Sequence, residues 1–155
     1  MVKLNETEQK EYDGYIDTLQ DETTSVDIRI DVLIKLSQFF IEKDFSESFK
    51  YASFATVITD KPRADACCCL GDMYLFANNI KWAKIWYRHA LDDACRVGCD
   101  CKYWTYLPLV KFAQIDFIEE RYDSALNLVE ALLLMRKEDV EILQLKEVIL
   151  SKLGK

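Results

Sequence analysis

The stretch ADACCCLGDMYLFANNIKWAKIWYRHAL, residues 64–91, constrains the fold of this chain more than any other. Cys67, Leu70, Gly71 and Tyr74 recur at i, i+3, i+4 and i+7, the spacing of one helical face. The short polar turn ANN follows, and Ala83, Tyr87, Ala90 and Ala94 mark a return helix. The same two-helix pattern stands on either side. Upstream, Leu33, Leu36, Ser37 and Phe40 precede the turn EKD and then Phe45, Ser48, Ala52 and Ala55. Downstream, Tyr106, Leu109, Val110, Ala113 and Phe117 precede EERYD and then Tyr122, Ala125, Leu126, Val129 and Leu133. A hairpin of this kind cannot bury its apolar face alone, so repeated hairpins must stack.

Composition agrees with a helical stack. Sheets consume turn residues every few positions, yet 155 residues contain only 4 glycines and 2 prolines. Asn5 with Glu8 has the form of a capping box, opening a first helix that runs to about Gln20. Pro62 fits the first position of a new helix, where its missing N–H costs nothing. Gly98 suits a left-handed cap, CDCKYWTY (99–106) is expected to be a longer connection, and Pro108 then belongs in the first turn of the next helix. A last helix is expected over 139–153, ended by Gly154. No Ser/Gly-rich linker divides the chain, which reads as one domain over 1–155.

The middle pair resembles the tetratricopeptide repeat (TPR). With Ala64 at repeat position 1, Leu70, Gly71, Tyr74, Ala83, Tyr87 and Ala90 fall at positions 7, 8, 11, 20, 24 and 27 of that pattern. Small Gly71 and Ala83 sit where helices approach closely, and the tyrosines fill the spaces between. VLIKLSQFFIEKDFSESFKYASFA is similar to the preceding repeat, with Ser37 in place of glycine, and LVKFAQIDFIEERYDSALNLVEALL to the following one, with Asp116 where a tyrosine is expected. Ser48, Ala83 and Ala125 lie 35 and then 42 residues apart, the excess falling in the CDCKYWTY segment. The resemblance implies an all-α, right-handed TPR-like solenoid of three helix pairs, at roughly 27–59, 62–97 and 103–135. An N-terminal helix precedes them and a capping helix, 139–153, follows. RADACCCLGDMYLF, AKIWYRHALD and YWTYLPLVKFAQ are also similar to the TPR region that follows the catalytic domain in some bacterial inverting glycosyltransferases. That resemblance implies kinship with an accessory domain, not sugar transfer, since the chain has no Asp-x-Asp for a metal-bound nucleotide sugar.

The six cysteines admit two readings. Free cysteine packs as a small hydrophobe, which accounts for Cys67, Cys68 and Cys69 as core. Alternatively Cys67, Cys95, Cys99 and Cys101 meet at one end of a hairpin as zinc ligands, although CCC with C-x3-C-x-C is not the usual pair of C-x-x-C knuckles. His89 is the only histidine and lies mid-helix, Glu119–Glu120 and Asp92–Asp93 read as solvated helix ends, and no phosphate-cradling glycine loop is present. Trp82, Trp86 and Trp104 are candidate interface anchors, and Trp86 and Trp104 alternatively pack between adjacent repeats. No enzyme activity and no cofactor are expected.

The TPR resemblance also implies a groove. Repeat positions 2, 5, 9, 12 and 13 face it. These are Asp65, Cys68, Asp72, Leu75 and Phe76 in the middle repeat and Leu107, Val110, Gln114, Phe117 and Ile118 in the third. In the first, Asp31, Ile34, Gln38 and Ile41 are nearest. Positions 5 and 9 lack the Lys and Asn that clamp a C-terminal carboxylate in some TPR domains. Asp65 and Asp72 instead favour a protein or peptide partner with apolar anchors and a basic residue. The net charge of −7 disfavours nucleic acid and anionic membranes. The start of the chain, MVKLNETEQKEYDGY, has no secretory apolar segment, so a cytoplasmic protein is expected. Val140, Leu143, Ile149 and Leu153 either cap the stack or join two copies into a homodimer.

Overall fold

The computed structural model describes residues 2–96 and 102–154. Its helices are α1 (Glu6–Gln20), α2 (Val26–Phe40), α3 (Phe45–Val57), α4 (Ala64–Phe76), α5 (Ile80–Arg96), α6 (Lys102–Ile118), α7 (Tyr122–Met135) and α8 (Val140–Leu153). No strand occurs among the described residues. The most extensive contacts join α2 to α3, α4 to α5 and α6 to α7, and each pair leans on the next through α3–α4, α5–α6 and α7–α8. The first helices of successive pairs also touch, α2 with α4 and α4 with α6, so they form one inner layer.

Local chemistry explains where the helices begin. Asn5 Oδ1 accepts from the Glu8 amide at 2.9 Å while Glu8 Oε2 accepts from the Asn5 amide at 3.0 Å, which satisfies two otherwise orphaned donors. Ser25, Asp44 and Asp139 cap α2, α3 and α8 with side-chain oxygens. Pro62 does not open α4. The helix begins two residues later, after an extended Arg63 that supplies no side-chain cap. The Ala64 amide instead donates to Asp93 Oδ2 at 3.0 Å, so one of the supposedly solvated acids at the end of α5 caps its partner helix. Gly154 ends α8 in the left-handed conformation, φ 69°.

The expected connection before α6 is shorter than the sequence suggested. Lys102–Tyr106 is already helical, which puts Pro108 well inside α6 rather than in its first turn. Proline there forgoes one backbone hydrogen bond. Its ring is fully buried, between Tyr106 and Val110, which are buried against α7 and α8. Gly98 lies outside the described residues, as does the side chain of Trp104.

Each hairpin is closed differently. In the middle one, a Cβ on Gly71 would stand 2.7 Å from Tyr87 Cε1, closer than side-chain atoms approach, so glycine admits the ring. In the first, Ser37 and Ser48 replace the Gly and Ala. Both are fully buried; Ser48 Oγ donates to the Ser37 carbonyl at 2.7 Å, and the two hydroxyls lie 3.2 Å apart. In the third, the atypical Asp116 is buried and accepts from Arg121 and Ser124. The ends are finished by α1, whose Tyr12, Tyr15, Ile16 and Leu19 cover Ile30, Leu33 and Phe40, and by α8, which buries Ile142 and Ile149 against α7. Val140 and Leu143 are left 63% and 41% exposed.

Candidate functional site

The inner layer of α2, α4 and α6 carries a cavity of about 400 Å³. Asp31, Ile34, Lys35, Ser37, Gln38 and Ile41 line it from α2 and its C-terminal cap. Asp65, Cys68, Cys69, Asp72 and Met73 line it from α4, and Leu107 from α6. The i, i+3/i+4 rhythm of Asp31, Ile34, Gln38 and Ile41 on one helix, and of Asp65, Cys68 and Asp72 on the next, aims these side chains at one space. Its floor is apolar, with Cys68 3% and Met73 2% exposed. Carboxylates mark the rim.

Eight of the groove residues expected from sequence therefore come together, namely Asp31, Ile34, Gln38, Ile41, Asp65, Cys68, Asp72 and Leu107. The other six, Leu75, Phe76, Val110, Gln114, Phe117 and Ile118, do not line this cavity. Val110 is buried in the core with Ala113 and Ala125, and Phe117 packs against the same core beside Tyr122, the rings 5.7 Å apart. Leu75 packs against the Ala83–Tyr87 core. Gln114 is half-buried on α6, outside the cavity lining. Phe76 is 68% exposed but stacks on Phe45 of α3 at 5.5 Å, at the turn edge of the stack. The N-terminal helix, packed on α2 and Tyr51, leaves Phe76 open.

The rim charges are paired in ways the repeat register does not reveal. Tyr87 donates to Asp72 Oδ1 at 2.5 Å, and Lys111 Nζ reaches the same oxygen from α6 at 2.9 Å. Lys111 sits one place beyond a groove position, and its long stem carries the charge across. At the N-terminal end of α4, Arg63 binds Asp65 through Nε at 3.1 Å and again through Nη2. It also reaches Asp31 at 2.5 Å and Asp27 at 3.3 Å. The hydrogen bond to Asp65 is the largest influence holding the Arg63 guanidinium protonated, against partial burial, with Asp31 adding to it. Sequence signals for this hub were thin: an arginine after proline, with acids at 27, 31 and 65 that only folding brings together.

The three consecutive cysteines are buried free thiols. Burial pushes Cys67 and Cys68 up to about 12 and Cys69 up to about 11, with the neighbouring carboxylates Asp93, Asp72 and Asp65 adding to the effect and Ser37 opposing it at Cys69. They are held as neutral thiols, the form that packs rather than reacts. Cys99, Cys101 and the side chain of Cys95 lie outside the described residues. Among the described residues no three His, Cys, Asp or Glu side chains converge as metal ligands would. His89 is exposed, with its ring 5.5 Å from that of Trp86. Trp86 packs in the cores on both sides of α4, and Trp82, 46% exposed, stacks on Tyr74.

No family model matches the sequence, and no curated protein matches it. Among solved structures, the crystal structure of MamA aligns with 99% of this chain and 87% of its own, at a TM-score of 0.68 and 14% sequence identity. The fold is an all-α, TPR-like solenoid. At that identity the likeness concerns the fold alone. Among the described residues no helix is long and apolar enough to cross a membrane.

Proposed function

We propose that this chain is a non-enzymatic interaction module that holds a segment of a partner protein against its inner helices. One observation carries the reading: three inner helices converge on an open cavity with an apolar floor and a charged rim, the chemistry of a peptide groove rather than of a reaction. The TPR-like fold supports it. So do Cys67, Cys68 and Cys69, whose buried, neutral thiols pack rather than react. The test is to map peptides selected from a displayed library by NMR. Shifts concentrated at Ile34, Gln38, Cys68 and Leu107 are expected; shifts confined to α3, α5 and α7 overturn the groove.

A second reading follows from the glycosyltransferase-like segments 63–76, 83–92 and 103–114, which favour an accessory or regulatory domain of a bacterial glycosyltransferase system. It keeps the same groove and specifies the partner. Purification of the tagged protein from its native host decides it. A glycosyltransferase retained in the eluate at stoichiometric yield supports this reading, and its absence removes it.

A further inference from the structure

Resting on the groove reading, we infer that the groove takes an extended segment whose Lys or Arg docks at the Asp27–Asp31 end, about four residues from an aliphatic anchor seated over Ile34 and Ile41. Four carboxylates border the inner face, Asp27, Asp31, Asp65 and Asp72, against three cations, Arg63, Lys111 and Lys35.

These charges are not evenly shared. Asp72 is already satisfied by Lys111 and by the Tyr87 hydroxyl. Asp65 holds Arg63 through two bonds of its guanidinium, the stronger bidentate arrangement. Asp31 and Asp27 share what remains of that one cation, and their side chains are 52% and 81% exposed. Lys35 lies one turn further along α2, beside the apolar part of the cavity. The uncompensated negative charge thus sits at the N-terminal end of α2, and the centre of the groove is neutralised from within.

Geometry then sets the spacing. Asp27 and Asp31 precede Ile34 and Ile41 on the same helix, so the midpoints of the two pairs are about 13 Å apart at 1.5 Å per residue. An extended chain covers that distance in about four residues. The anchor meets Ile34, Ile41 and Leu107 at the surface with Cys68 and Met73 beneath.

The experiment selects binders for the intact chain from a displayed 12-residue library, then titrates the strongest as a labelled peptide by fluorescence anisotropy. The selected peptides are expected to carry Lys or Arg about four residues from Leu, Ile, Val or Met. The D27N/D31N double variant should bind about fivefold more weakly and lose the salt dependence of the wild type, because these are rim charges. Asp123→Asn, an exposed charge on α7 outside the cavity, should stay within about twofold. Gln38→Trp, which fills the groove from an exposed position, should abolish binding. All these positions are solvent-facing, and circular dichroism verifies that each variant is folded. Binders without a base at that spacing, or an unchanged D27N/D31N affinity, overturn the inference while a Gln38→Trp loss leaves the groove standing. Unchanged binding by Gln38→Trp, or no binder at all, removes both.

Discussion

The ring of Tyr87 occupies the space that any side chain at position 71 would need, and nothing lets it move aside. The ring is fully buried and its hydroxyl is tied to Asp72. Gly71→Ala gains up to about 1 kcal/mol of helix propensity but incurs an overpacking cost of about 1–3 kcal/mol. The net expectation is a loss of about 1 kcal/mol, read as a fall of about 3 °C in Tm by calorimetry. Gly14→Ala is the control. A Cβ there meets nothing within 4 Å, so it should stabilise, and a Gly71→Ala protein as stable as Gly14→Ala would contradict the close approach. The thiols give a second residue-scale expectation. Iodoacetamide at pH 8 should leave Cys67, Cys68 and Cys69 unmodified in the folded protein and modify all three in guanidinium, as read by peptide mass. Their pKa values are raised on folding, from 9.0 to about 12 for Cys67 and Cys68. The unfolded chain therefore loses these protons first, and stability should decline as pH rises from 9 toward 12. A flat denaturation midpoint across that window would show the thiols to be accessible.

Among the elements, α1 differs from the rest in having no fully buried residue. It rests on α2 and α3 through half-buried Tyr12, Tyr15, Ile16 and Leu19, one Tyr12–Tyr51 hydroxyl contact at 3.4 Å and a Lys43–Glu8 ion pair at 3.4 Å. Its amides should exchange with deuterium well ahead of those in α2 and α4, as measured by hydrogen-exchange mass spectrometry. Equal protection across all three would mean that α1 unfolds only with the stack. The elements also show what sequence could and could not disclose. Periodic apolar positions, the Asn5 capping box and Gly154 marked most helices, because caps and faces are local properties. The start of α6 escaped because Pro108 suggested a nearby boundary, whereas burial of Tyr106 and Val110 on either side outweighs its missing bond. The start of α4 escaped because its cap comes from Asp93, 29 residues away.

For the whole molecule, the same division holds at the groove. The contribution of Asp31, Ile34, Gln38, Ile41, Asp65, Cys68, Asp72 and Leu107 to the cavity was legible from repeat register, since register is periodic. The positions at the later end of each register, such as Phe76 and Phe117, were diverted by aromatic neighbours on other helices that no spacing rule describes. The cross-helix partners Lys111 and Arg63 are tertiary facts for the same reason, and they change the electrostatics from an acidic centre to an acidic end. The two serines buried in the first hairpin bear on how such a stack can be rebuilt. Its register is written in a pair of hydroxyls, whereas the second hairpin writes it in an aromatic plate lying over a bare α-carbon. The modules are therefore not interchangeable bricks: grafting one helix of the second hairpin onto its counterpart in the first would strand a hydroxyl against carbon, and only exchanging both helices together preserves the seam.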